Sequence, residues 1–597
     1  MLVKQVMKWL WHIMGGSETQ AFYSLLTFIS VALSTYLLYL KYNRKLPPGP
    51  WGLPFCGYSP FIKGAVHLHF NELAKKYGKI FSVNIGSELT VVISDYNIIR
   101  DSFRLTEFTG RPQNEFMNIL DGYDFDNTLY LTTLALVSSR QVKTLLNGPP
   151  CPSFARFQTF HWFYREFFSR AVDSDYSQCR LILELSFFSI INTDGALWKD
   201  QRKFLHDKLK MFGMTSFNNR NMESKIKHEV EIFLKRLEMK RGVPTTLTSS
   251  LAISISNVIC SVAMGVRFYH GDPQFKRFMD LINEGFKLFG KVTFANYIPI
   301  VRLCPWINSV QNKIEKNRSE MAEFFQEVIN QHRASYNENN INDILDAYLY
   351  EIQKATDENR EDQLFEGKDK LRQMQQVLGD LFSAGMETVK NTLEWSMVFM
   401  LHYPEAAKQV QIELDNVIGR SRLPSLKDFE ELPITQATIL EIFRRSNLVP
   451  LGTTHATTRD VMLNGYMIPA GTSVVPLLYA VHMDPELWGD PEVFRPSRFL
   501  DSEGKVWQPS FFMPFGVGRR MCLGKNLARM EVFLFFSSLM HMFNLSLPEG
   551  APLPSLQGNV GVTISPIPFK ICLLQRDLHL VDNNEVSANG PLRNIGH

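Results

Sequence analysis

The chain has 597 residues, of which 45% are hydrophobic and 21% are charged. This composition supplies a large core and is too apolar for an intrinsically disordered polymer. Lys and Arg number 63 against 60 Asp and Glu, so the net charge of +3 excludes the strongly basic surface of a nucleic-acid-binding protein. The 7 cysteines form no C-x-x-C pair and are odd in number, which argues against a disulfide scaffold and against a zinc module.

An uncharged, apolar run of 20 residues covers positions 21–40. At ~1.5 Å per residue, one helix of this length spans the ~30 Å hydrocarbon layer of a bilayer. A cleaved signal peptide is the alternative, but its apolar core would be shorter and a small-residue cleavage site should follow. Basic residues and a Pro-Pro-Gly-Pro hinge at 47–50 follow instead. We predict that residues 1–45 are a membrane anchor with a single N-terminal span and that the rest of the protein is cytosolic.

Beyond the hinge, the pattern predicts a hairpin and then a mainly helical body. β-Branched runs at 79–85 and 88–94, separated by Gly-Ser, predict the hairpin. Apolar residues at three- and four-residue spacing predict helices over 225–240, 308–333, 368–401, 436–445 and 525–543. Short strands are predicted at 461–463 and 473–477. Residues 46–576 are therefore predicted to form one large helical domain with small peripheral β-sheets.

The segment 515–524, FGVGRRMCLG, fits the pattern F-x-x-G-x-R-x-C-x-G. Gly516 and Gly518 allow the backbone to approach a flat cofactor and leave N–H groups to bond a thiolate. A helix is predicted to start just after Cys522, and its positive end is expected to lower the pKa of that thiol. Arg520 supplies a permanent cation suited to a carboxylate. The alternative is a buried structural cysteine in a Gly-rich turn.

Through this loop the sequence resembles the cytochrome P-450 family of haem-thiolate monooxygenases. The resemblance implies the cytochrome P-450 fold, mainly α with small sheets, and haem b as the cofactor. It assigns Cys522 as the axial thiolate ligand of the haem iron and places Phe515 and Arg520 at the cofactor. A thiolate ligand donates electron density to iron and favours O–O cleavage.

A Glu-x-x-Arg pair and a Pro-x-Arg-Phe segment occur in the order that the family shows. Glu441 and Arg444 are three residues apart, so both lie on one face of the predicted helix. Taken alone, such pairs are common on solvated helices. The resemblance implies that Arg498 joins them in a buried ion network that fixes the cysteine loop. These three residues are predicted to be structural, because removing one leaves a buried charge unpaired.

The predicted helix at 368–401 contains the motif Ala-Gly-Met-Glu-Thr at 384–388. Glycine inside a helix costs ~1 kcal/mol relative to alanine, so a compensating requirement is expected at Gly385. The resemblance implies that Gly385 makes room for oxygen over the haem and that Glu387 and Thr388 are catalytic residues that relay protons. The alternative is an ordinary helix glycine and a threonine bonded to the carbonyl four residues earlier.

Haem propionates need cationic or hydrogen-bonding partners. The resemblance proposes five such residues: Arg111, Trp198, Arg202, His455 and Arg520. Trp198 and Arg202 are four residues apart on a predicted helix, so they face the same way, and Arg forks suit carboxylates. Each of the five could instead be a surface side chain, and a lone histidine is more often a satisfied core residue than a ligand.

Lysines and arginines cluster at 199–210, beside Trp198, and at 525 and 529, after the cysteine. A charge run usually marks a solvated surface, but in this family that side of the haem meets an acidic reductase. The sequence has no flavin or nicotinamide fingerprint, so electrons from NADPH would arrive through a separate flavoprotein, NADPH–cytochrome P-450 reductase. Cytochrome b5 is a second candidate partner. The anchor and hinge favour the endoplasmic reticulum membrane, whose lipid is a further partner, over a mitochondrial location.

The segments 450–459, 468–485 and 553–566 resemble insect ecdysteroid 26-hydroxylases. The implied reaction inserts one oxygen atom of O₂ into a C–H bond on the side chain of a steroid, at C26, and inactivates the moulting hormone. The alternative within the family is a microsomal enzyme that oxidises xenobiotics or fatty acids. A haem-thiolate isomerase of oxidised lipids is disfavoured by Glu387, Thr388 and the basic surface.

Residues 124–189 do not fit this resemblance. The interval from Arg111 to Trp198 is much longer than in the family, and so long a loop inside a compact domain is unusual. The sequence favours a retained intron or a gene-model error over a genuine membrane-facing insertion. A genuine insertion would lie at the family's substrate channel, and an inactive haem-binding membrane protein is then the alternative from another class. At the other end, the polar tail 577–597 is predicted to be disordered.

Overall fold

The computed structural model describes residues 45–53, 56–112, 189–214, 220–292, 305–367 and 369–577, together with Thr27, Val31 and Arg593–Asn594. No helix among these residues is both long enough and apolar enough to cross a membrane. The span predicted at 21–40 lies outside the described residues apart from Thr27 and Val31. The segment 124–189 also lies outside them apart from Ser189.

The described part of the protein is mainly helical, and the predicted fold class is confirmed. Its α-helices are α1 (Val66–Tyr77), α2 (Tyr96–Ser102), α3 (Gly195–Met211), α4 (Arg220–Glu238), α5 (Thr248–Ala263), α6 (Pro273–Val292), α7 (Pro305–Ser335), α8 (Ile344–Asp357), α9 (Lys370–His402), α10 (Pro404–Ile418), α11 (Pro433–Ser446), α12 (Leu478–His482), α13 (Pro485–Trp488) and α14 (Lys525–Met542).

The strands are short and form small sheets. They are β1 (Ile80–Ile85), β2 (Glu88–Ile93), β3 (Val266–Arg267), β4 (His455–Ala456), β5 (Val461–Leu463), β6 (Tyr466–Ile468), β7 (Ser473–Pro476), β8 (Phe543–Ser546), β9 (Asn559–Val560), β10 (Ile564–Ser565), β11 (Cys572–Gln575) and β12 (Arg593–Asn594). One sheet has four strands in the order β1-β2-β7-β4, with β1 and β2 antiparallel and β2 and β7 parallel. The pairs β5–β6, β8–β11, β9–β10 and β3–β12 complete the set.

Helix ends in the structure follow identifiable caps. The helix predicted at 368–401 is α9, which starts where the Asp369 side chain accepts hydrogen bonds from the backbone N–H groups of Leu371 and Arg372. The helix predicted at 436–445 starts earlier, because Pro433 occupies the first turn of α11, where its missing N–H is not needed. Sequence periodicity alone does not mark these starts, since the first turn need not face the core.

The longest helix described, α9, runs through the main core and positions the site. It packs against α5, α11 and α14, and its second half is buried almost throughout. The helix α14 is buried from Met530 onward. Because these two helices share the core, the cysteine loop that precedes α14 is held next to the middle of α9.

Candidate active site

A cavity of about 380 Å³ lies between the cysteine loop and the middle of α9. The site residues predicted from the sequence that line it are Arg111, Trp198, Arg202, Gly385, Thr388, His455, Phe515, Arg520 and Cys522. Glu387 is absent from the lining. The remaining lining is largely apolar and includes Ile190, Leu381, Val449 and Leu478.

The cysteine loop is closed by backbone contacts. The Cys522 N–H donates to the Phe515 carbonyl at 3.0 Å, and the Phe515 ring packs edge-on against Phe443. A Cβ on Gly518 would lie 2.0 Å from the Phe103 carbonyl oxygen, and its φ of +78° is one that glycine adopts readily. A Cβ on Gly516 would meet nothing within 4 Å. Gly518 is therefore required by packing on Phe103 and by its φ, whereas Gly516 has open space and is favoured only by its φ of +70°.

The electrostatics of Cys522 differ from the sequence-based expectation. Burial raises the pKa of the Cys522 thiol, and this effect outweighs the Gly524 N–H, Arg202 and Lys525, which all lower it. The side chain retains accessible surface where it lines the cavity. The Gly524 N–H, at the start of α14, acts on the pKa in the predicted direction, but burial in the loop outweighs it and the net shift is upward.

Three arginines, Arg111, Arg202 and Arg520, meet at one end of the cavity. The Arg111 guanidinium donates to the carbonyls of Ile191 and Thr454 at 2.8 and 2.7 Å, and its backbone N–H donates to Asp194. Burial and the neighbouring cations lower the pKa of Arg520 to about 8, and burial lowers that of Arg111 to about 10, with Asp194 opposing both shifts. The cluster thus favours an anionic ligand.

Two buried donors in this cluster have no partner among the described residues: Trp198 Nε1 and Arg520 Nη1. The Arg520 guanidinium lies 3.8 Å from the centre of the Trp198 ring, so both donors belong to one group. Arg520 otherwise donates to the carbonyls of Thr109 and Thr193. Unpaired buried donors beside excess positive charge are what a bound carboxylate would satisfy.

His455 and Arg202 occupy different positions at this end. His455 Nδ1 pairs with the Phe108 carbonyl at 2.7 Å, and burial, with Arg111 and Arg520 nearby, lowers the pKa of His455 to about 3. His455 is therefore a neutral imidazole, and its Nε2 takes no part in the bond to Phe108. Arg202 donates to the Met521 carbonyl at 2.5 Å, beside the cysteine.

The middle of α9 brings Thr388 and Gly385 to the cavity but turns Glu387 away from it. The Thr388 hydroxyl donates to the Ala384 carbonyl at 2.7 Å. A Cβ on Gly385 would lie 2.2 Å from Cδ1 of Ile259 on α5. The requirement for glycine is thus close packing of α9 on α5, in addition to any role at the cavity. Both carboxylate oxygens of Glu387 are bonded elsewhere, to Lys390 and Asn391.

Glu441, Arg444 and Arg498 form a buried ion network. Arg444 makes a bidentate pair with Glu441 at 2.7 and 2.8 Å, and Arg498 Nε donates to Glu441 at 3.1 Å. Arg444 also donates to the carbonyl of His482 at 2.9 Å, and His482 Nε2 accepts the Met513 N–H at 3.2 Å. This series of contacts joins the network to the segment that leads into the cysteine loop.

Comparison with known proteins identifies the family and several relatives. The cytochrome P450 family model matches residues 47–141 and 166–573. Cytochrome P450 18a1 of Drosophila melanogaster is 49% identical over 554 residues, which cover 92% of this protein and 91% of the fly protein. Cytochrome P450 2U1 of Rattus norvegicus is 29% identical, covering 94% and 97%, and cytochrome P450 2J5 of Mus musculus is 30% identical, covering 90% and 93%.

The chain belongs to the cytochrome P450 family. Its cofactor is haem iron, and a reductase supplies the electrons. The cavity of this P450 suits that group, because the cation cluster and its two unpaired donors fit propionates and Cys522 offers a sulfur ligand at the same cavity. The family match leaves out residues 142–165, in the middle of the segment 124–189, but it includes both ends of that segment, 124–141 and 166–189.

Three residues of the P450 site were missed by sequence reasoning. Asp380 on α9 accepts hydrogen bonds from the Ser189 hydroxyl and the Ile190 N–H at 2.9 and 2.8 Å, and burial raises its pKa to about 6. His482 links the ion network to Met513. Glu531 on α14 lines the cavity with an unpaired oxygen, and burial raises its pKa. An apolar helix face that carries one acid is the only sequence signal for Asp380 and Glu531.

Proposed function

We propose that this P450 is a monooxygenase that inserts one oxygen atom of O₂ into a C–H bond of a steroid, by side-chain hydroxylation of an ecdysteroid at C26. The observation that carries the oxidation is that Cys522 and Thr388 line one largely apolar cavity. The substrate rests on the resemblance of 450–459, 468–485 and 553–566 to ecdysteroid 26-hydroxylases. A xenobiotic or a fatty acid is the alternative substrate.

The protein's own residues have distinct tasks in this proposal. Haem, when bound, supplies the oxygen chemistry. Cys522 holds the iron, Trp198 and Arg520 offer their unpaired donors to the propionates, and Arg111 and His455 flank them. The Thr388 hydroxyl donates its own proton to the Ala384 carbonyl, which leaves its oxygen at the cavity to accept a hydrogen bond. The apolar lining excludes water and orients an apolar substrate.

Electron delivery is proposed to use the basic surface beside the cysteine. Lys199, Lys203 and Lys210 on α3 are exposed, and Arg202 of the same helix reaches the Met521 carbonyl. A surface of this sign steers an acidic partner, which NADPH–cytochrome P-450 reductase or cytochrome b5 would provide. We further propose anchorage in the endoplasmic reticulum membrane through residues 1–45.

The test begins with the carbon monoxide difference spectrum of the reduced, membrane-expressed full-length protein. A Soret band at the long wavelength of thiolate-ligated haem, absent in Cys522→Ser, is expected. Turnover of 20-hydroxyecdysone with reductase and NADPH should then yield the C26 alcohol. Haem binding without oxidation of any steroid, xenobiotic or fatty acid would contradict the proposed enzyme and favour a ligand-binding role.

The segment 124–189 is tested in the same assays. A variant that lacks these residues is compared with the full-length protein, and the transcript is sequenced across codons 120–195. If the segment is a retained intron, the shorter form shows the larger Soret band and the dominant transcript lacks it. Uninterrupted transcripts and an active full-length protein would contradict that interpretation.

A further inference from the structure

The face of α9 that points away from the cavity carries a polar cluster inside the protein. Glu387 Oε2 accepts from Lys390 Nζ at 2.5 Å, and Glu387 Oε1 accepts from Asn391 Nδ2 at 2.9 Å. The side chains of Glu387 and Lys390 are only 18% and 9% exposed. Both oxygens of a nearly buried carboxylate are therefore held by neighbours three and four residues along the same helix.

The Asn391 side chain also makes a hydrogen bond to a residue outside α9. Its Nδ2 donates to the Thr563 hydroxyl at 2.9 Å, in the turn between β9 and β10. The same hairpin is bonded to α9 one turn later, where Trp395 Nε1 donates to the Ile564 carbonyl at 2.8 Å. Asn391 is fully buried, so its amide joins Glu387 to the hairpin without water between them.

The cluster has one more charged neighbour. Glu394 lies one turn beyond Lys390 and accepts a hydrogen bond from Thr248, at the start of α5, at 2.5 Å. Burial raises the pKa of Glu394, while Lys390 opposes this shift. Lys390 donates a hydrogen bond to Glu387 but interacts with Glu394 only through its charge, so Glu387 is its main partner.

We propose that Lys390 and Asn391 are positioning residues for Glu387 and that Thr563 links this carboxylate to the β9–β10 hairpin. This inference rests on the proposed monooxygenase function, in which Glu387 and Thr388 relay protons. Lys390 and Asn391 hold both oxygens of Glu387 outside the cavity lining, so they determine where this carboxylate stands relative to Thr388, the next residue of α9. The contacts of Lys390 and Asn391 with Glu387 are called the clamp. Its loss should misdirect protons and divert electrons from product to hydrogen peroxide.

The experiment is a double-mutant cycle on whichever protein turns over steroid, the full-length protein or the variant that lacks residues 124–189. Lys390→Met should lower kcat about tenfold, a part of what positioned proton transfer contributes, with KM within twofold and a larger share of NADPH lost to peroxide. Lys390→Arg should restore both values. In a Glu387→Gln background, Lys390→Met should have no further effect, because the residue acts through Glu387. Thr563→Val should raise peroxide less than Lys390→Met does.

Lys75→Met is the matched control. Lys75 pairs with Glu72 at the same three-residue spacing and 2.8 Å, but both side chains are about two-thirds exposed, so kcat and peroxide should not change. An unchanged Lys390→Met enzyme, or one that loses the same factor in the Glu387→Gln background, would overturn the proposal.

Failure of the proposed function gives a different result. If the wild type forms no oxidised product, that function is contradicted, and the clamp is tested by denaturant unfolding instead. The effects of Glu387→Gln and Lys390→Met on unfolding should then be strongly non-additive, as should those of Asn391→Ala and Thr563→Val. Additive effects in both pairs would overturn the clamp as well.

Discussion

Two helices of this P450 carry a glutamate followed three residues later by a base, and the two pairs differ in almost every other respect. Glu441 and Arg444 on α11 are wholly buried and bidentate, and Arg444 also donates to backbone carbonyls. Glu387 and Lys390 on α9 share one contact and retain some exposure. The same spacing thus produces a wholly buried ion pair in one helix, called the strut below, and a slightly exposed one in the other, the clamp.

The difference follows from the chemistry of the base. A guanidinium presents a planar fork with five donors and fills two carboxylate oxygens and nearby carbonyls at once. An ammonium is a point charge that satisfies one oxygen and leaves the other for Asn391. The α9 carboxylate is held by residues of its own helix and is linked through Asn391 to Thr563. The α11 carboxylate is held by two arginines, of which Arg498 comes from outside the helix, and by the Arg495 N–H.

Removing the acid of each pair should give the largest difference in the free energy of unfolding between the two pairs. Glu441→Ala leaves Arg444 and Arg498 buried without their counter-ion and is expected to cost ~3–5 kcal/mol of unfolding free energy. Glu387→Ala should cost less, because Glu387 retains 18% exposure and Lys390 keeps the nearby charge of Glu394. Urea unfolding followed by tryptophan fluorescence measures both, and equal losses would contradict the distinction between strut and clamp.

Exchanging the bases should sharpen the same contrast. Arg444→Lys leaves the carbonyls of His482 and Pro491 short of donors and should cost ~1–3 kcal/mol. Lys390→Arg keeps its single contact and should be close to neutral. A thermal scan of the two variants beside the wild type is sufficient, and a neutral Arg444→Lys would show that the fork is not needed.

Sequence reasoning found the motif residues but not what each one touches. Cys522 was singled out by its loop pattern, and Thr388 and the five candidate propionate partners were proposed from the resemblance to the family. The fold brings all of them to one cavity. Glu387 belongs to the same motif, yet it faces Lys390 and Asn391, since one residue of helix rotates a side chain by about 100°. Neighbours on other elements, such as Thr563, have no signature in local spacing.

The tertiary partners explain the remaining differences. Asp380 and His482 matter because they contact Ser189 and Met513, residues far away in sequence. The five helices predicted from periodicity are present, because periodicity depends on one face being buried. Others, such as α5, α6, α8 and α10, had no individual prediction. The requirement at Gly385 was expected but its cause was not, because Ile259 comes from another helix.

Packing at Gly385 gives the next prediction, on the helix that carries the clamp. Gly385→Ala would place a methyl group 2.2 Å from Cδ1 of Ile259, and such overpacking costs ~1–3 kcal/mol. Ile259→Val removes that Cδ1 atom and should recover most of the loss in the double variant. Unfolding of the two single variants and the double variant measures the recovery, and a lack of recovery would place the glycine requirement at the cavity instead.

The smallest effect concerns the link between the strut and the cysteine loop. Burial, with Arg444 nearby, lowers the pKa of His482 to about 3, whereas an unfolded histidine titrates near 6.5. The unfolded protein therefore binds more protons as the pH falls below 6.5, so the stability that neutral His482 contributes is present above this pH and declines toward pH 3. Between pH 6.5 and 5.5 we expect a loss of about 1 kcal/mol from this residue.

His482→Gln should remove that part of the pH dependence, because glutamine offers an acceptor for the Met513 N–H without titrating. His206→Gln on α3 is the control, since its side chain is 59% exposed and its removal should leave the slope unchanged. Urea unfolding at pH 6.5 and 5.5 compares the three proteins. An identical slope in His482→Gln and the wild type would mean that His482 is protonated in the folded protein and that Met513 has another acceptor, which would detach the cysteine loop from the ion network.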